Sequence, residues 1–342
     1  MRRVFFAALC ALTFTACSAG REAAIPGGAA ADSASNGISN AASGKVYVAN
    51  WYNSSVVVYS DGGKTKLKTI TDGVAYPNAI AVDKSGTVFL GNFGQPSGSL
   101  TSSVAVYPAG SSQPSRTIVQ GIRGPWAIAF GSSSKVYVAN NGGPTVTVYP
   151  RGSNTLLQTI SKDVRSPEAL AFDKSGSLYV ANWDANSVTI YPPGKVKPSA
   201  KLKDDIRRPD SLALDDAQNL YVANHDANSI AIYGPGGKGK PQKLTKGVHE
   251  PLTVIAGPSQ QLYVLNSLSN TVSVYDEATL ALLRVISNGI ACPTTMALSG
   301  SGYLYVANSC PSSLSVYQSS GTKPIRTLTK GLDGPLAIGL AP

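Results

Sequence analysis

Short runs of alternating apolar and polar residues recur along the chain from residue 45 onward. One run has the form YVAN, and its seven copies are separated by 42, 48, 42, 42, 42 and 42 residues. The copies begin at Tyr47, Phe89, Tyr137, Tyr179, Tyr221, Tyr263 and Tyr305. Alternation with a period of two predicts β-strands, and the near-constant spacing predicts a repeat architecture.

Three further apolar runs accompany each YVAN-type run. A run ending in Tyr follows it (SVVVY at 55–59), then a short run (KTI at 68–70), and then a run that leads into the next unit (NAIAVD at 78–83). The first unit lacks this leading run, whose missing copy is LAIGLA at 336–341. Four short strands per unit indicate a β-propeller. We therefore predict an all-β fold, a single seven-bladed propeller over 45–342, closed by pairing of the C-terminal strand with the first.

The composition agrees with a β-rich fold that has many turns. The chain of 342 residues contains 34 Gly and 22 Pro, and 43% of its residues are hydrophobic. Thirteen of its 16 tyrosines stand at the repeated Tyr positions. We therefore expect most aromatic side chains to pack the blades and not to form a binding platform.

The first 44 residues predict export. Residues 1–16 combine two arginines with an apolar stretch too short to span a bilayer, as in a secretory signal. FTAC at 14–17 resembles a lipobox, which makes Cys17 the candidate lipidated residue, although Phe14 replaces the usual Leu. Residues 17–44 are rich in Ala, Gly and Ser and read as a disordered tether. We expect a bacterial envelope protein, periplasmic or on the cell surface and held to the membrane by its lipid anchor. The alternative is simple secretion.

The repeats resemble the YVTN and NHL classes of propeller repeat, most closely in YVLNSLSNTVSVYD at 263–276. This resemblance covers most of the chain after the tether. It implies the fold and much less about activity, because such propellers serve as envelope binding proteins and interaction scaffolds. Relatives include lactonases of the gluconolactonase type and streptogramin-inactivating lyases of the virginiamycin B type.

A binding site should stand out by asymmetry against the repeat. An Asn ends every YVAN-type run, and its presence in all seven units favours a structural role at the strand end. The residue after each blade-opening Pro instead varies, and we expect it to lie near the mouth of the central channel. These residues are Asn78, Trp126, Glu168, Asp210, Leu252, Thr294 and Leu336.

The resemblance to gluconolactonases implies a metal site among the variable residues. In such propellers a Glu, an Asn and an Asp hold a divalent cation, and Glu168, Asp210 and Asn78 could do so here with Ca²⁺ or Mg²⁺. The alternative is a lattice of ion pairs between these carboxylates and nearby arginines. The candidates for it are Arg123, Arg165, Arg207 and Arg208.

The only two histidines form a second candidate site. His225 and His249 are expected on the same face in neighbouring blades, beside Asp226 and Glu250. A His–Glu–His group with Mg²⁺ is implied by the resemblance to streptogramin lyases, and a histidine with a carboxylate partner suits general-base catalysis. Histidines on polar loops are more often solvated side chains.

Three tryptophans mark a candidate ligand-binding face. Trp51 and Trp183 follow the repeated Asn, and Trp126 begins an innermost strand at the channel mouth, so all three are expected on the loop face, exposed or half-exposed, and none in a strand core. Indoles there could stack on a sugar ring, a peptide or an aromatic ligand, with Arg165 and Arg208 nearby. The alternative is that they cover the ends of the blades.

The remaining cysteines predict a disulfide. Folding the last unit about SGSG at 299–302 places Cys292 opposite Cys310, and an oxidising compartment favours their bond over a reactive thiol pair.

The net charge of +10 arises largely from lysines on the turns and outermost strands. These lysines either block edge-to-edge aggregation or meet an anionic polymer or lipid, and export argues against nucleic acid.

Together these observations predict a monomeric envelope protein that binds a small molecule, a glycan or an envelope protein. A metal-assisted hydrolase or lyase is the alternative.

Overall fold

A computed structural model describes residues 44–94, 101–131 and 134–341 of the chain. The predicted signal, Cys17 and the tether up to residue 43 lie outside the described residues. Within them the structure is built of strands, with three 3₁₀ turns at Asp61–Gly63, Pro235–Gly237 and Pro258–Gln260. None of the helices in these ranges is long and apolar enough to cross a membrane.

The first blade joins the two ends of the described chain. It consists, from the centre outward, of β28 (Pro335–Ala341), β1 (Lys45–Asn50), β2 (Ser55–Ser60) and β3 (Lys66–Ile70). β1 pairs antiparallel with β28, with Lys45 opposite Ala341 and Val48 opposite Ile338. The predicted closure by the C-terminal strand is therefore confirmed.

The other blades run in chain order from their innermost to their outermost strand. Blade 2 is β4 (Pro77–Val82), β5 (Val88–Asn92), β6 (Ser103–Tyr107) and β7 (Arg116–Ile118). Blade 3 is β8 (Pro125–Gly131), β9 (Lys135–Asn140), β10 (Thr145–Pro150) and β11 (Gln158–Ile160). Blade 4 is β12 (Pro167–Phe172), β13 (Leu178–Asn182), β14 (Ser187–Tyr191) and β15 (Ala200–Leu202).

Blades 5 to 7 complete the ring. Blade 5 is β16 (Pro209–Leu214), β17 (Leu220–Asn224), β18 (Ser229–Gly234) and β19 (Lys238–Leu244). Blade 6 is β20 (Pro251–Gly257), β21 (Gln261–Asn266), β22 (Thr271–Asp276) and β23 (Leu282–Ile286). Blade 7 is β24 (Pro293–Leu298), β25 (Tyr303–Asn308), β26 (Ser313–Gln318) and β27 (Arg326–Leu328). Each innermost strand contacts the innermost strands of both neighbouring blades, so the seven sheets enclose a central channel.

The hydrophobic core lies between the blades. Seven apolar clusters are present, and each combines residues of two neighbouring blades. The cluster between blades 4 and 5, for example, packs Tyr179 and Ile190 against Leu212 and Tyr233. Because each sheet buries both of its faces in this way, the alternating strands read as almost continuous apolar runs.

The repeated Asn is structural, as its presence in every unit indicated. Its side-chain Oδ1 accepts a hydrogen bond from a backbone N–H of the linker, the segment that connects the preceding outermost strand to the innermost strand of its own blade. All seven bonds measure 2.9–3.1 Å and involve Asn50, Asn92, Asn140, Asn182, Asn224, Asn266 and Asn308. The Asn therefore fixes the linker and not only its own turn.

The Tyr that ends each second run also holds the linker. Its hydroxyl donates to a linker carbonyl in all seven blades, for example from Tyr107 to Asp72 at 2.7 Å and from Tyr317 to Asn288 at 2.7 Å. Burial raises the pKa of Tyr59 and Tyr317 to about 12. These phenols therefore stay protonated and remain donors at neutral pH.

The predicted disulfide is present. Cys292 and Cys310 are bonded, with their Cα atoms 5.5 Å apart. Cys292 directly precedes β24, and Cys310 lies in the turn after β25, so the bond clamps the two inner strands of blade 7. Blade 7 is the neighbour of the closing blade.

Loss of this disulfide should destabilise the propeller. A Cys292→Ala/Cys310→Ala variant should lose about 3 kcal/mol of unfolding free energy, because the bond closes a loop of 18 residues. Denaturant titration with and without reductant measures this loss of unfolding free energy. Reductant should weaken the parent protein and leave the double variant unchanged. An equal response of the two proteins would contradict the prediction.

Candidate functional site

Each innermost strand begins with a β-bulge. The blade-opening Pro and the residue two positions later have partners in the next strand, and the residue between them is skipped. A bulge changes the direction of the side chain it carries. The skipped residues occupy what we call the bulge position, and they are Asn78, Trp126, Glu168, Asp210, Leu252, Thr294 and Leu336. These are the variable residues expected near the channel mouth.

The bulge position is buried in six of the seven blades. Only Trp126 is partly exposed there. Thr294 donates to the carbonyl of Pro335 at 2.8 Å, which links blade 7 to blade 1. Glu168 Oε1 accepts a hydrogen bond of 2.8 Å from Asn141 of the preceding blade. The channel mouth thus contains polar, apolar and aromatic side chains in one ring.

The three candidate metal ligands all occupy bulge positions, in blades 2, 4 and 5. Asn78 is fully buried, and neither its amide nitrogen nor its amide oxygen has a hydrogen-bond partner among the described residues. In the same ranges no group of three His, Cys, Asp or Glu residues is placed to hold a metal ion. That finding does not test a set that includes an amide, so the site at Glu168, Asp210 and Asn78 stays a prediction.

The linkers and the turns after the YVAN-type strands share one face, which we call the loop face. In every blade the residue after the repeated Asn donates its N–H to the carbonyl of the residue before the blade-opening Pro. Examples are Trp51 to Gly334, Trp183 to Ser166 and His225 to Arg208, at 3.0–3.2 Å. The predicted common face of the Trp and His residues is therefore present.

The residue before each blade-opening Pro has a left-handed backbone. Its φ lies between 45° and 60° in all seven blades. Gly124 and Gly334 adopt this conformation readily, whereas a side chain there costs about 1–2 kcal/mol. Five blades nevertheless carry one, and the residues are Tyr76, Ser166, Arg208, Glu250 and Cys292. Because this conformation recurs in every blade, it belongs to the repeated backbone, and only the side chains displayed there differ between blades.

An aromatic patch lies on the loop face of blades 1 and 2. We define it as Trp51, Tyr52, Tyr76 and Phe93. The Trp51 ring centroid is 5.4 Å from that of Tyr76 and 5.7 Å from that of Phe93. Trp51, Tyr76 and Phe93 are half-buried, and Tyr52, the residue after Trp51, is 59% exposed and lies with its ring against Gly334. The patch therefore offers aromatic surface to solvent from a fixed arrangement of rings.

A charged cluster occupies the loop face of blades 4 to 6. His225 Nδ1 lies 2.9 Å from Asp226 Oδ1, and His225 Nε2 lies 4.0 Å from Glu250 Oε2. Arg208 pairs with Asp226 at 3.2 Å, and its guanidinium lies 5.5 Å from the Trp183 ring centroid. The Trp183 and His225 rings are 5.4 Å apart. The structure thus joins residues that the sequence analysis assigned to two separate sites.

One expectation for the tryptophans is wrong. Trp183 is only 3% exposed, because Arg208 and His225 cover its ring, so it supports the charged cluster from below. Trp126 lies at the bulge position near the start of strand β8 and is partly exposed.

Two further candidates lie at the periphery. Arg165 and His249 are exposed, and both donate their backbone N–H to a repeated Asn, at 2.9 Å. The structure therefore places their backbones on the loop face, where their roles stay predictions.

An open cleft of about 860 Å³ lies between blades 4 and 5 beside the charged cluster. It is lined by the linker 203–208 together with Asn186, Asp226, Ala227 and Lys243. The lining carries charges of both signs and little apolar surface, unlike most pockets for small molecules. The aromatic patch is the better candidate for a ligand contact.

Sequence reasoning missed three members of these sites. Phe93 occupies the position equivalent to Trp51 and Trp183, so aligning the units residue by residue would have found it. Tyr52 and Tyr76 are two of the three tyrosines outside the repeated positions, which was a usable signal.

Comparisons with other proteins support the fold alone. Neither a known sequence family nor a curated protein matches this sequence. Many solved structures match the fold. They include a protein of unknown function from Desulfotomaculum acetoxidans, with 17% identity, a TM-score of 0.72, and coverage of 88% of this chain and 99% of that one.

Two other structures are similar. A protein of Bacteroides fragilis, named as a presumed 6-phosphogluconolactonase, has 14% identity and a TM-score of 0.72, covering 89% of this chain and 99% of that chain. A protein of Lactobacillus plantarum has 15% identity and a TM-score of 0.72, covering 88% of this chain and 100% of that chain. The chain is thus a seven-bladed β-propeller, and its activity has to be argued from its own residues.

Arg208 should shield Trp183. Arg208→Ala should lower the unfolding free energy by about 1 kcal/mol, through the lost ring contact and the lost exposed ion pair. It should also increase acrylamide quenching of Trp183, measured with Trp51 and Trp126 replaced by Phe. Arg207→Ala, at the exposed neighbour, is the control. Equal quenching in the two variants would show that Arg208 does not cover the ring.

Proposed function

We propose that the protein is an envelope-anchored binding protein that recognises a glycan through the aromatic patch on its loop face. The observation that carries this proposal is the asymmetric grouping of Trp51, Tyr52, Tyr76 and Phe93 on two blades. The repeated tyrosines are buried and serve every blade alike. The patch residues instead stand at positions that vary between blades, and the other blades fill them with small, polar or charged residues, or with Trp183 and Leu268.

The patch chemistry suits a sugar ring. Half-buried indole and phenol rings offer a flat apolar surface, which matches the apolar face of a pyranose. Hydrogen-bonding side chains border it, since the side chains of Tyr52 and Asn53 are both exposed. Tyr76 keeps its place in the patch despite a left-handed backbone, with a φ of 48°. The signal at 1–16 and the lipobox at Cys17 support placement in the envelope, where such glycans occur.

Removal of patch rings should weaken glycan binding. Trp51→Ala and Tyr52→Ala should each reduce retention on purified peptidoglycan sacculi by about tenfold, since one aromatic contact contributes about 1–1.5 kcal/mol. Tyr52 is exposed, so its loss should not unfold the protein. Ser309→Ala, at the position equivalent to Trp51 in blade 7, should bind like the parent protein. Unchanged retention of both patch variants would contradict the proposal.

A metal-assisted lactonase is the second candidate function. It is favoured by the burial of Glu168 and Asp210 at equivalent positions in neighbouring blades, together with the unsatisfied amide of Asn78. Oxygen donors of this kind suit Ca²⁺ or Mg²⁺. A bound cation would supply polarisation of a lactone carbonyl. Asn141 holds the Glu168 carboxylate in position, and His225 beside Glu250 could act as a base at the same face.

Calorimetric titration with Ca²⁺, Mg²⁺ and Zn²⁺ tests the second candidate. A metal site at these residues should bind one cation with micromolar affinity. Glu168→Gln or Asp210→Asn should weaken that affinity at least about tenfold. Asp184→Asn, which changes an exposed carboxylate on the same face, is the matched control. No heat with any of the three cations would remove the metal site, and with it this mechanism.

A further inference from the structure

The lysines of the outer rim are distributed unevenly among the blades. Edge lysines that only prevented aggregation should occur on every blade, because each blade has an exposed outermost strand. Counted with the linkers that follow them, the outer hairpins of blades 2 and 6, at 108–124 and 276–292, contain no lysine, and that of blade 3, at 150–166, contains Lys162 alone. Blades 4 and 5 carry four each in their outer hairpins and the linkers that follow. These eight residues, which we call the basic strip, are Lys195, Lys197, Lys201, Lys203, Lys238, Lys240, Lys243 and Lys246.

All eight lysines of the basic strip are exposed, and most have no acidic partner. Lys201 pairs with Asp163 at 2.8 Å and Lys243 with Asp205 at 3.6 Å. The other six lie beyond ion-pair distance of any carboxylate in the described ranges. The acidic partners Asp163 and Asp205 lie in linkers at the loop face, and Asp173, Asp215 and Asp216 lie in the inner turns of blades 4 and 5. The two outer hairpins, 192–202 and 234–244, contain no acidic residue, so the outer edge of these blades carries only positive charge.

Packing between the blades holds the two outer hairpins side by side. Gly237, in the hairpin of blade 5, lies directly on blade 4. A Cβ at this residue would be 2.9 Å from the side chains of both Ile190 and Leu202. The adjoining strand β19 begins at Lys238 and, with seven residues, is the longest of the outermost strands. Lys238 and Lys240 are thus fixed beside the hairpin that carries Lys195 and Lys197.

We propose that the basic strip binds an anionic lipid surface, with its lysines contacting headgroup phosphates. A flat surface that meets the rim from the side can rest on only two neighbouring edges of a seven-bladed ring, and the strip is confined to two neighbouring blades. A flexible polyanion could follow the rim and would not require that restriction. Val196, between Lys195 and Lys197, is 42% exposed and offers a small apolar contact at the hairpin tip. Basic residues flanking an exposed apolar one suit the headgroup region.

Blades 1 and 7 provide a comparison surface with lysines of their own. Lys68 donates to the carbonyls of Gly110 and Ser111, both at 2.7 Å, and so is held against the protein. The remaining exposed lysines there are Lys64, Lys66, Lys323 and Lys330. They permit a control variant with the same change of net charge on the other side of the ring.

Vesicle binding tests the proposal. The full chain with Cys17→Ser, which removes the candidate lipid attachment site, is sedimented with anionic vesicles of about 30% phosphatidylglycerol in phosphatidylcholine. It should bind these and not pure phosphatidylcholine vesicles. Binding should fall strongly between about 50 and 500 mM KCl, as charges become screened. Absence of binding, or equal binding to neutral vesicles, would overturn the proposal.

The variants locate the contact. Replacing Lys195, Lys197, Lys238 and Lys240 by Gln should lower the partition coefficient at least about 50-fold, since each lysine near an anionic surface contributes about fivefold. Replacing Lys64, Lys66, Lys323 and Lys330 by Gln should lower it less than about fivefold. Equal losses would show an effect of net charge and overturn the assignment to the strip. If the protein bound soluble polyphosphate through the strip and did not bind vesicles, the partner of the strip would be an anionic polymer and not a lipid surface.

Discussion

The antiparallel pairing of β28 with β1 is the constraint on which the other features depend. Among the described residues no blade has a core of its own, because each apolar cluster lies between two sheets. A blade without its innermost strand would leave the cores on both of its sides incomplete. Val48 opposite Ile338 therefore does more than join two strands. It brings blade 1 into contact with blades 7 and 2, and it allows seven weak modules to form one cooperative unit.

The structure separates residues that maintain the ring from residues that can give it a function. The repeated Asn and Tyr side chains hold the linkers in every blade, by side-chain hydrogen bonds to the linker backbone. Three neighbouring positions are left to vary, namely the bulge position, the residue before the Pro and the residue after the Asn. These positions carry aromatic rings in blades 1 and 2, charged groups in blades 4 to 6, and mainly small residues in blade 7. The loop face is thus chemically divided, although its backbone is regular.

The fold could be predicted from the sequence almost completely, because the relevant signals are local and repeated. The period of the YVAN-type run gives the number of blades, and the displaced LAIGLA segment gives the closure. The disulfide could be predicted in the same way, since Pro293 and Asn308 set a register that brings Cys292 and Cys310 together.

The site was less accessible to prediction, because it depends on contacts between blades. Whether Trp183 is exposed is decided by Arg208 from the linker and by His225 from the next blade. Neither contact leaves a trace in the pattern around Trp183. The same holds for the meeting of Trp51 with Tyr76, which belong to different blades and are 25 residues apart in number.

The β-bulges at the channel mouth have a consequence for how such a protein can diverge. A residue skipped by the ladder contributes no paired backbone groups, so its identity is nearly independent of the hydrogen bonds that align the two inner strands. Asn, Trp, Glu, Asp, Leu and Thr all occur there on one scaffold. The side chains at the mouth can therefore be substituted one at a time, by single codon changes, while the sheets keep their register.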